Sequence, residues 1–170
     1  MKKLLVVLLT LILVVSLSVS AFGLMSPAVT KGHGAVTGMF ASDPYNGLII
    51  GGEFGITSDF GVGLEFGNNI TKLYAKYELN PSIALTGGVL GGGGSTNPFI
   101  GINGGTNINR DLMVMGEVDL YSAGGNFGFG YEVGVKYNII KELDIRGGAR
   151  GVLINGASTT GLELGVGYKF

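Results

Sequence analysis

No cysteine occurs anywhere in the 170 residues. That absence excludes a lipoprotein anchor and any disulfide framework, so an exported domain made from this chain must be held by packing and hydrogen bonds alone. Histidine is nearly absent as well. His33 is the only one, it has no serine or cysteine motif beside it, and it reads as a solvated rim residue rather than a general base. A basic excess is also missing: 11 Lys and Arg stand against 12 Asp and Glu, which argues against a nucleic-acid partner. After the first 21 residues no segment reaches the roughly 20 apolar residues of a membrane-spanning helix, and none carries a convincing 3.6-residue amphipathic period.

The start of the chain, MKKLLVVLLTLILVVSLSVSA, has two lysines, an apolar run from Leu4 to Val15 and a small-residue tail in which Val19 and Ala21 suit a signal peptidase. Residues 1–21 are therefore expected to be a signal peptide, the alternative being an uncleaved anchor. Residues 22–31 form a short N-terminal extension and 32–170 the folded domain. Loss of Lys2 and Lys3 with the signal takes the net charge from −1 to about −3.

Glycine is abundant, with 33 residues. A collagen repeats glycine every third residue, and a disordered linker lacks the valine, isoleucine and aromatics found here. In this chain glycine recurs mainly at every second position inside segments that read as strands. Ten alternating segments are expected, at 32–42, 48–57, 60–68, 70–79, 83–93, 98–109, 112–122, 127–139, 143–154 and 159–170, separated by turn compositions such as SDPYNG, NN, NPS, NRD, SAGGN, KE and NGAS. Four of them open alike, SDFGVGL, PSIALTG, RDLMVMG and KELDIRG, as equivalent turns on one rim would. Segment 32–42 is ambiguous in its facing, so eight strands is the alternative count.

Charge placement gives the sharpest reading. Sorting each segment into two faces sets Glu53, Glu65, Lys72, Lys76, Glu78, Glu117, Asp119, Glu132, Lys136, Asp144, Arg146, Arg150, Glu163 and Lys169 on one face. The other holds residues such as Leu48, Phe54, Val62, Leu64, Phe66, Leu73, Tyr77, Val118, Leu120, Val133 and Val135. In segments two to ten no charge has to share the apolar face. A basic residue on the lipid face of a membrane barrel costs about 2–4 kcal/mol at the bilayer midplane, so the segregation predicts an all-β, antiparallel, up-and-down transmembrane β-barrel with its charges inside. A secreted β-sandwich also alternates, but its water-facing side would not be half glycine. The apolar-face aromatics Phe60, Tyr77, Tyr137, Tyr168 and Phe170 gather toward the repeat-turn rim, as an interfacial girdle does.

Turn lengths predict partners. A two-residue Asn68-Asn69 hairpin sets Glu65 opposite Lys72. A four-residue loop at 155–158 sets Arg150 opposite Glu163 and Asp144 opposite Lys169, and a tight turn at 140–142 sets Glu132 opposite Arg150. Glu53 falls opposite Glu65, so that one of the two leans on Lys72 or Lys76. The expected lumen network is Glu53, Glu65, Lys72, Lys76, Glu132, Lys136, Asp144, Arg146, Arg150, Glu163 and Lys169, because charges in a narrow low-dielectric interior must be paired.

The chain ends LELGVGYKF, with apolar residues at Leu162, Leu164 and Val166, Tyr168 two before the end and an aromatic at Phe170. This resembles the closing-strand signal of Gram-negative-type outer-membrane proteins. With the signal peptide and the alternation, the whole mature chain resembles the small outer-membrane barrels of the OmpA transmembrane-domain and OmpX type. The resemblance implies a bacterial outer-membrane location, with membrane lipid around the barrel. It also implies recognition of Leu162, Leu164, Val166, Tyr168 and Phe170 by the barrel assembly machinery. Ten strands rather than eight, and short connections, are departures from that pattern.

Other motifs carry little chemistry. Glu117 and Asp119 share a face and read as ion-pair partners for inward Lys or Arg rather than an acid/base pair. GGGGSTN at 91–97 lacks the lysine and helix of a phosphate loop and reads as a flexible loop. No catalytic, cofactor-binding or metal-ligating set is read, and no enzyme is expected. The expected role is a structural, envelope-integrity or interaction barrel whose lumen is closed by ion pairs. A narrow passive pore is the alternative, because inward glycines such as Gly51, Gly63, Gly101, Gly128 and Gly165 leave the interior sparsely filled. A lipid-modifying enzyme ranks third. Solute, partner and oligomeric state are left unassigned.

Overall fold

The computed structural model describes residues 26–170 apart from residues 93, 124 and 125. The expected signal peptide, residues 1–21, lies outside the described residues. Ten strands follow one another: β1 Gly34–Ala41, β2 Gly47–Gly55, β3 Phe60–Gly67, β4 Ile70–Asn80, β5 Ile83–Gly92, β6 Ser95–Asn107, β7 Leu112–Ala123, β8 Asn126–Asn138, β9 Leu143–Ile154 and β10 Ala157–Lys169. Each pairs antiparallel with its neighbours in sequence, and β1 pairs with β10 to close the barrel. Closure removes the free edges that an open sheet would expose, which a bilayer does not tolerate because it offers no water to unpaired backbone groups.

The ambiguous first segment belongs to the wall. β1 pairs with β2 from Gly34↔Phe54 to Ala41↔Gly47 and with β10 from Ala35↔Lys169 to Ala41↔Glu163, so the count is ten and not eight. Its inward residues, Thr37, Met39 and Ala41, are buried and uncharged, whereas Phe40 is 68% exposed. The facing was hard to read because the strand carries no charge to mark its inner side.

The start of β1 and the end of β10 meet at one rim, the terminal rim. Phe170 lies beyond β10, yet its N–H donates to the Gly34 carbonyl at 3.0 Å, and the Gly34 N–H donates back at 2.9 Å. The aromatic end thus closes the seam between first and last strands. The four repeated turns lie on this rim too. In three of them, backbone N–H groups four and three residues back reach the carbonyl of the first residue of the new strand, as Ile56 and Ile108 do to Phe60 and Leu112 at 2.8 and 2.9 Å.

Connections at the opposite, far rim are tighter than expected. β9 and β10 pair up to Ile154↔Ala157, leaving only Asn155 and Gly156 in the turn, with φ of 52° and 80°. Two successive positive φ values make a type I′ turn, whose twist matches that of the flanking strands. The expected four-residue loop is therefore corrected to two, and the register moves by two: Arg150 lies opposite Gly161 and Asp144 opposite Gly167, not Glu163 and Lys169. A shift of two preserves the faces, so every side chain still points where its alternation sends it. GGGGSTN is likewise not a loop, since Gly91 and Gly92 continue β5 and Ser95 to Asn97 begin β6.

The outer surface is apolar all round. Phe40, Phe66, Ile100, Leu162 and Leu164 are each more than half exposed, a continuous belt that water would not support and lipid would. Tyr77, Tyr137, Tyr168 and Phe170 are exposed close to the terminal rim, with Phe60↔Tyr77, Leu112↔Tyr137 and Leu143↔Tyr168 paired there. The buried residues lie inside the barrel, and there the charges are found.

Candidate functional site

The lumen is built from the inward positions of all ten strands. Arg150, on β9 and 5% exposed, is its hub. One guanidinium reaches carboxylates on three strands: Glu65 of β3 at 3.1 Å, Glu132 of β8 at 2.5 Å and Glu163 of β10 at 3.2 Å. Glu132 stands directly opposite Arg150 in the sheet. Glu163 contacts it diagonally, from a register position opposite Gly148. Glu65 contacts it across the lumen.

Glu65 does lie opposite Lys72 on the adjacent strand, yet Lys72 pairs with Asp119 and Glu117 of β7 at 2.6 and 3.1 Å. Long side chains from neighbouring strands project in parallel into a narrow lumen, where the facing wall is within their reach. Ion pairs therefore form across the barrel as well as along the sheet. Glu117 also accepts a hydrogen bond from the Thr86 hydroxyl at 2.8 Å. Glu53 lies opposite Gly63 rather than Glu65, because both Ile56 and Thr57 turn back onto the Phe60 carbonyl. It pairs with Lys76 and accepts from the Tyr74 hydroxyl at 3.1 Å. Nearer the terminal rim Arg146 binds Asp144 through Nε and Nη2, at 2.5 and 3.1 Å. Lys169 stands 3.5 Å from the same carboxylate and donates to Asn138 at 2.7 Å. Lys136 is buried on β8 opposite Arg146. The terminal-strand residues Leu162, Leu164, Val166 and Tyr168 all face outward, away from this network.

The alternative of a narrow pore rested on a sparsely filled, glycine-rich inner wall. In the structure the missing side chains make room for others. A Cβ at Gly63 would strike the Tyr74 ring, one at Gly128 the Tyr121 ring, and one at Gly101 the Asp119 carboxylate and Thr86 hydroxyl. Tyr74 and Tyr121 are buried together with Ile49, Ile70, Ala41 and Phe99, and Met39, Met113 and Met115 form a second cluster. The Lys72 ammonium sits 4.7 Å from the centre of the Phe99 ring, close enough for a cation–π contact. None of these fillers carries a sequence motif. Their signal was alternation itself, which places Met113, Met115, Tyr74 and Tyr121 on the charged face of their strands.

Both mouths are narrowed by segments outside the strands. At the terminal rim residues 26–31, part of the stretch read as a simple extension, lie across the mouth of the lumen, with alternate residues turned into it. Pro27 is fully buried and Val29 nearly so. Lys76 donates to the Ser26 carbonyl at 2.8 Å, and the Val29 N–H donates to Glu78 at 2.5 Å. Lys31 bridges to Gly55, where any Cβ would collide with the Thr30 backbone. His33 follows, exposed at the rim, its N–H donating to the Thr30 carbonyl at 3.1 Å. At the far rim the 42–46 turn folds inward over Gly161, a position where a side chain would meet the Asp43 carbonyl. The turn puts the Tyr45 ring 5.4 Å from the Arg150 guanidinium carbon.

Comparison with known proteins agrees with this architecture. The family model described as outer membrane protein beta-barrel domain matches residues 8–170. No curated protein matches the chain in sequence. Similar solved structures include the NanC porin, 11% identical with a TM-score of 0.49 over 81% of this chain and 100% of that one. Ail, the attachment invasion locus protein of Yersinia pestis, is 14% identical with a TM-score of 0.40, over 82% and 99%. The N-terminal barrel domain of Pseudomonas aeruginosa OprF is 14% identical with a TM-score of 0.37, over 82% and 98%. At these levels they are distant. The family match covers nearly the whole chain, and the protein belongs to the outer-membrane β-barrel family, whose place is the bacterial outer membrane.

Proposed function

We propose that this protein is a closed, structural barrel that contributes to the integrity of the outer membrane, with a lumen that does not conduct. The observation that carries the reading is Arg150, whose single guanidinium ties β3, β8 and β10 together through Glu65, Glu132 and Glu163. A solute path would have to part these pairs in a low-dielectric interior, where breaking a buried pair costs about 3–5 kcal/mol. The tyrosine rings lying over Gly63 and Gly128, and the segment 26–31 at the terminal mouth, add to the obstruction.

The test compares Arg150→Ala and Glu65→Ala with the parent protein, refolded in detergent micelles, by heat-modifiable gel mobility and urea unfolding. A structural network predicts a clear loss of stability in both. The competing reading, a narrow pore, predicts folded variants of unchanged stability that differ in ion selectivity.

The partners follow from the same reading. Lipid surrounds the outward belt, and the barrel assembly machinery reads the last strand through Leu162, Leu164, Val166, Tyr168 and Phe170. Phe170→Ser is then expected to lower the amount of assembled barrel in cells while leaving refolding in detergent nearly intact. Equal loss in both settings would assign Phe170 to the seam alone.

A further inference from the structure

Between the inward-folded N-terminal segment and the inner wall of β8, β9 and β10 lies a cavity of about 480 Å³, within the usual range for small-molecule sites. Its wall is basic: Lys136, Lys141, Arg146 and Lys169 all line it. The acidic groups nearby are largely committed. Asp144 is held by Arg146 and Lys169, and Glu53 by Lys76 and the Tyr74 hydroxyl. Glu142, at the rim, also borders the cavity.

Lys136 stands apart from the other lumen cations. It is 6% exposed, lies opposite another cation, Arg146, in the sheet, and borders the cavity. Among the described residues it has no hydrogen-bond acceptor and no carboxylate within ion-pair distance. A buried ammonium without a partner is strongly unfavourable, while the other half of the lumen has carboxylates in excess around Arg150 and Lys72. The geometry points to a site at the terminal mouth for a small oxyanion, a phosphate monoester or carboxylate, whose charge is met by Lys136 Nζ with Arg146 and Lys141 beside it. The phosphate can come from a soluble metabolite or from a lipid headgroup at the membrane surface, since the chemistry that binds them is the same. This site does not depend on whether the lumen conducts.

The experiment is titration of the full refolded barrel, in a detergent free of phosphate, with inorganic phosphate and separately with acetate, read by calorimetry and by NMR of the lysine ammonium groups. Saturable binding of at least one anion is expected, with Lys136 as the responding ammonium. Lys136→Gln should weaken it at least about tenfold, the scale of one charge-assisted hydrogen bond. Lys136→Arg should retain it, and exposed Lys31→Gln should leave it unchanged. Competition by a short-chain phosphatidylglycerol below its micellar concentration would assign the headgroup as the source, and indifference to that lipid a soluble oxyanion. Absence of saturable binding by either anion in the folded protein, or equal affinity in the folded Lys136→Gln variant, would overturn the proposal.

Discussion

Arg150 and Glu163 show how differently two members of one ion cluster can contribute. Arg150 is the cation that three carboxylates share, so Arg150→Ala removes a counter-charge from three buried acids at once. A loss of about 3–5 kcal/mol is expected in urea unfolding from micelles. Glu163 stands within 3.2 Å of the guanidinium, yet its buried oxygens make no hydrogen bond among the described residues. Replacing it by glutamine removes surplus negative charge at nearly constant shape. Glu163→Gln should therefore change stability by less than about 1 kcal/mol, or raise it, because an unsatisfied buried charge costs more than a neutral amide. If the two variants lost equal stability, the cluster would not be centred on Arg150. At this scale the sequence was legible as to facing, since alternation sends Glu65, Lys72 and Arg150 inward. It was not legible as to partners, because Glu65 to Arg150 and Lys72 to Asp119 are contacts across the lumen, and those depend on how the sheet curves shut.

Among the elements, the strands were read closely and the turns less so. β3 and β4 meet through Asn68-Asn69 with Gly67↔Ile70 as the turn residues require. The last hairpin was misjudged, because Asn-Gly followed by Ala-Ser-Thr reads as a polar loop until pairing extends Ala157 and Ser158 along Ile154 and Leu153. Gly156 is where this turn is most constrained, at φ 80°. Gly156→Ala should cost about 1 kcal/mol, the penalty of a Cβ in the left-handed region, with no change in the fold; circular dichroism and urea titration check both. Gly161 is sensitive for another reason, since the 42–46 turn rests on its bare backbone. Gly161→Val should displace that turn and Tyr45 with it, and Tyr45 fluorescence quenching by acrylamide should rise. Unchanged quenching would mean that the turn does not lie over the far mouth. The N-terminal segment was the element least accessible to sequence reasoning: Ser26 to Lys31 has neither alternation nor charge pattern, and its place across the mouth of the lumen follows from carbonyls and a proline that fill gaps beside Gly55 and Gly105.

For the whole molecule, the barrel combines a lipid-facing belt, five short far-rim connections and an interior narrowed at both mouths. Short connections leave little surface beyond the membrane, which turns attention from loops to the lumen. Deleting residues 26–31 should clear the terminal mouth while the ion cluster around Arg150 still obstructs the middle. Combining that deletion with Arg150→Ala should therefore produce conductance that neither change gives alone. The central claim, a lumen closed by paired charges and its own N-terminal segment, is tested most directly by single-channel recording of the refolded parent protein in planar bilayers. Barrel formation would be confirmed beforehand by heat-modifiable mobility. The account predicts a folded barrel that inserts and stays electrically silent; steady, discrete openings from the unaltered protein would contradict it.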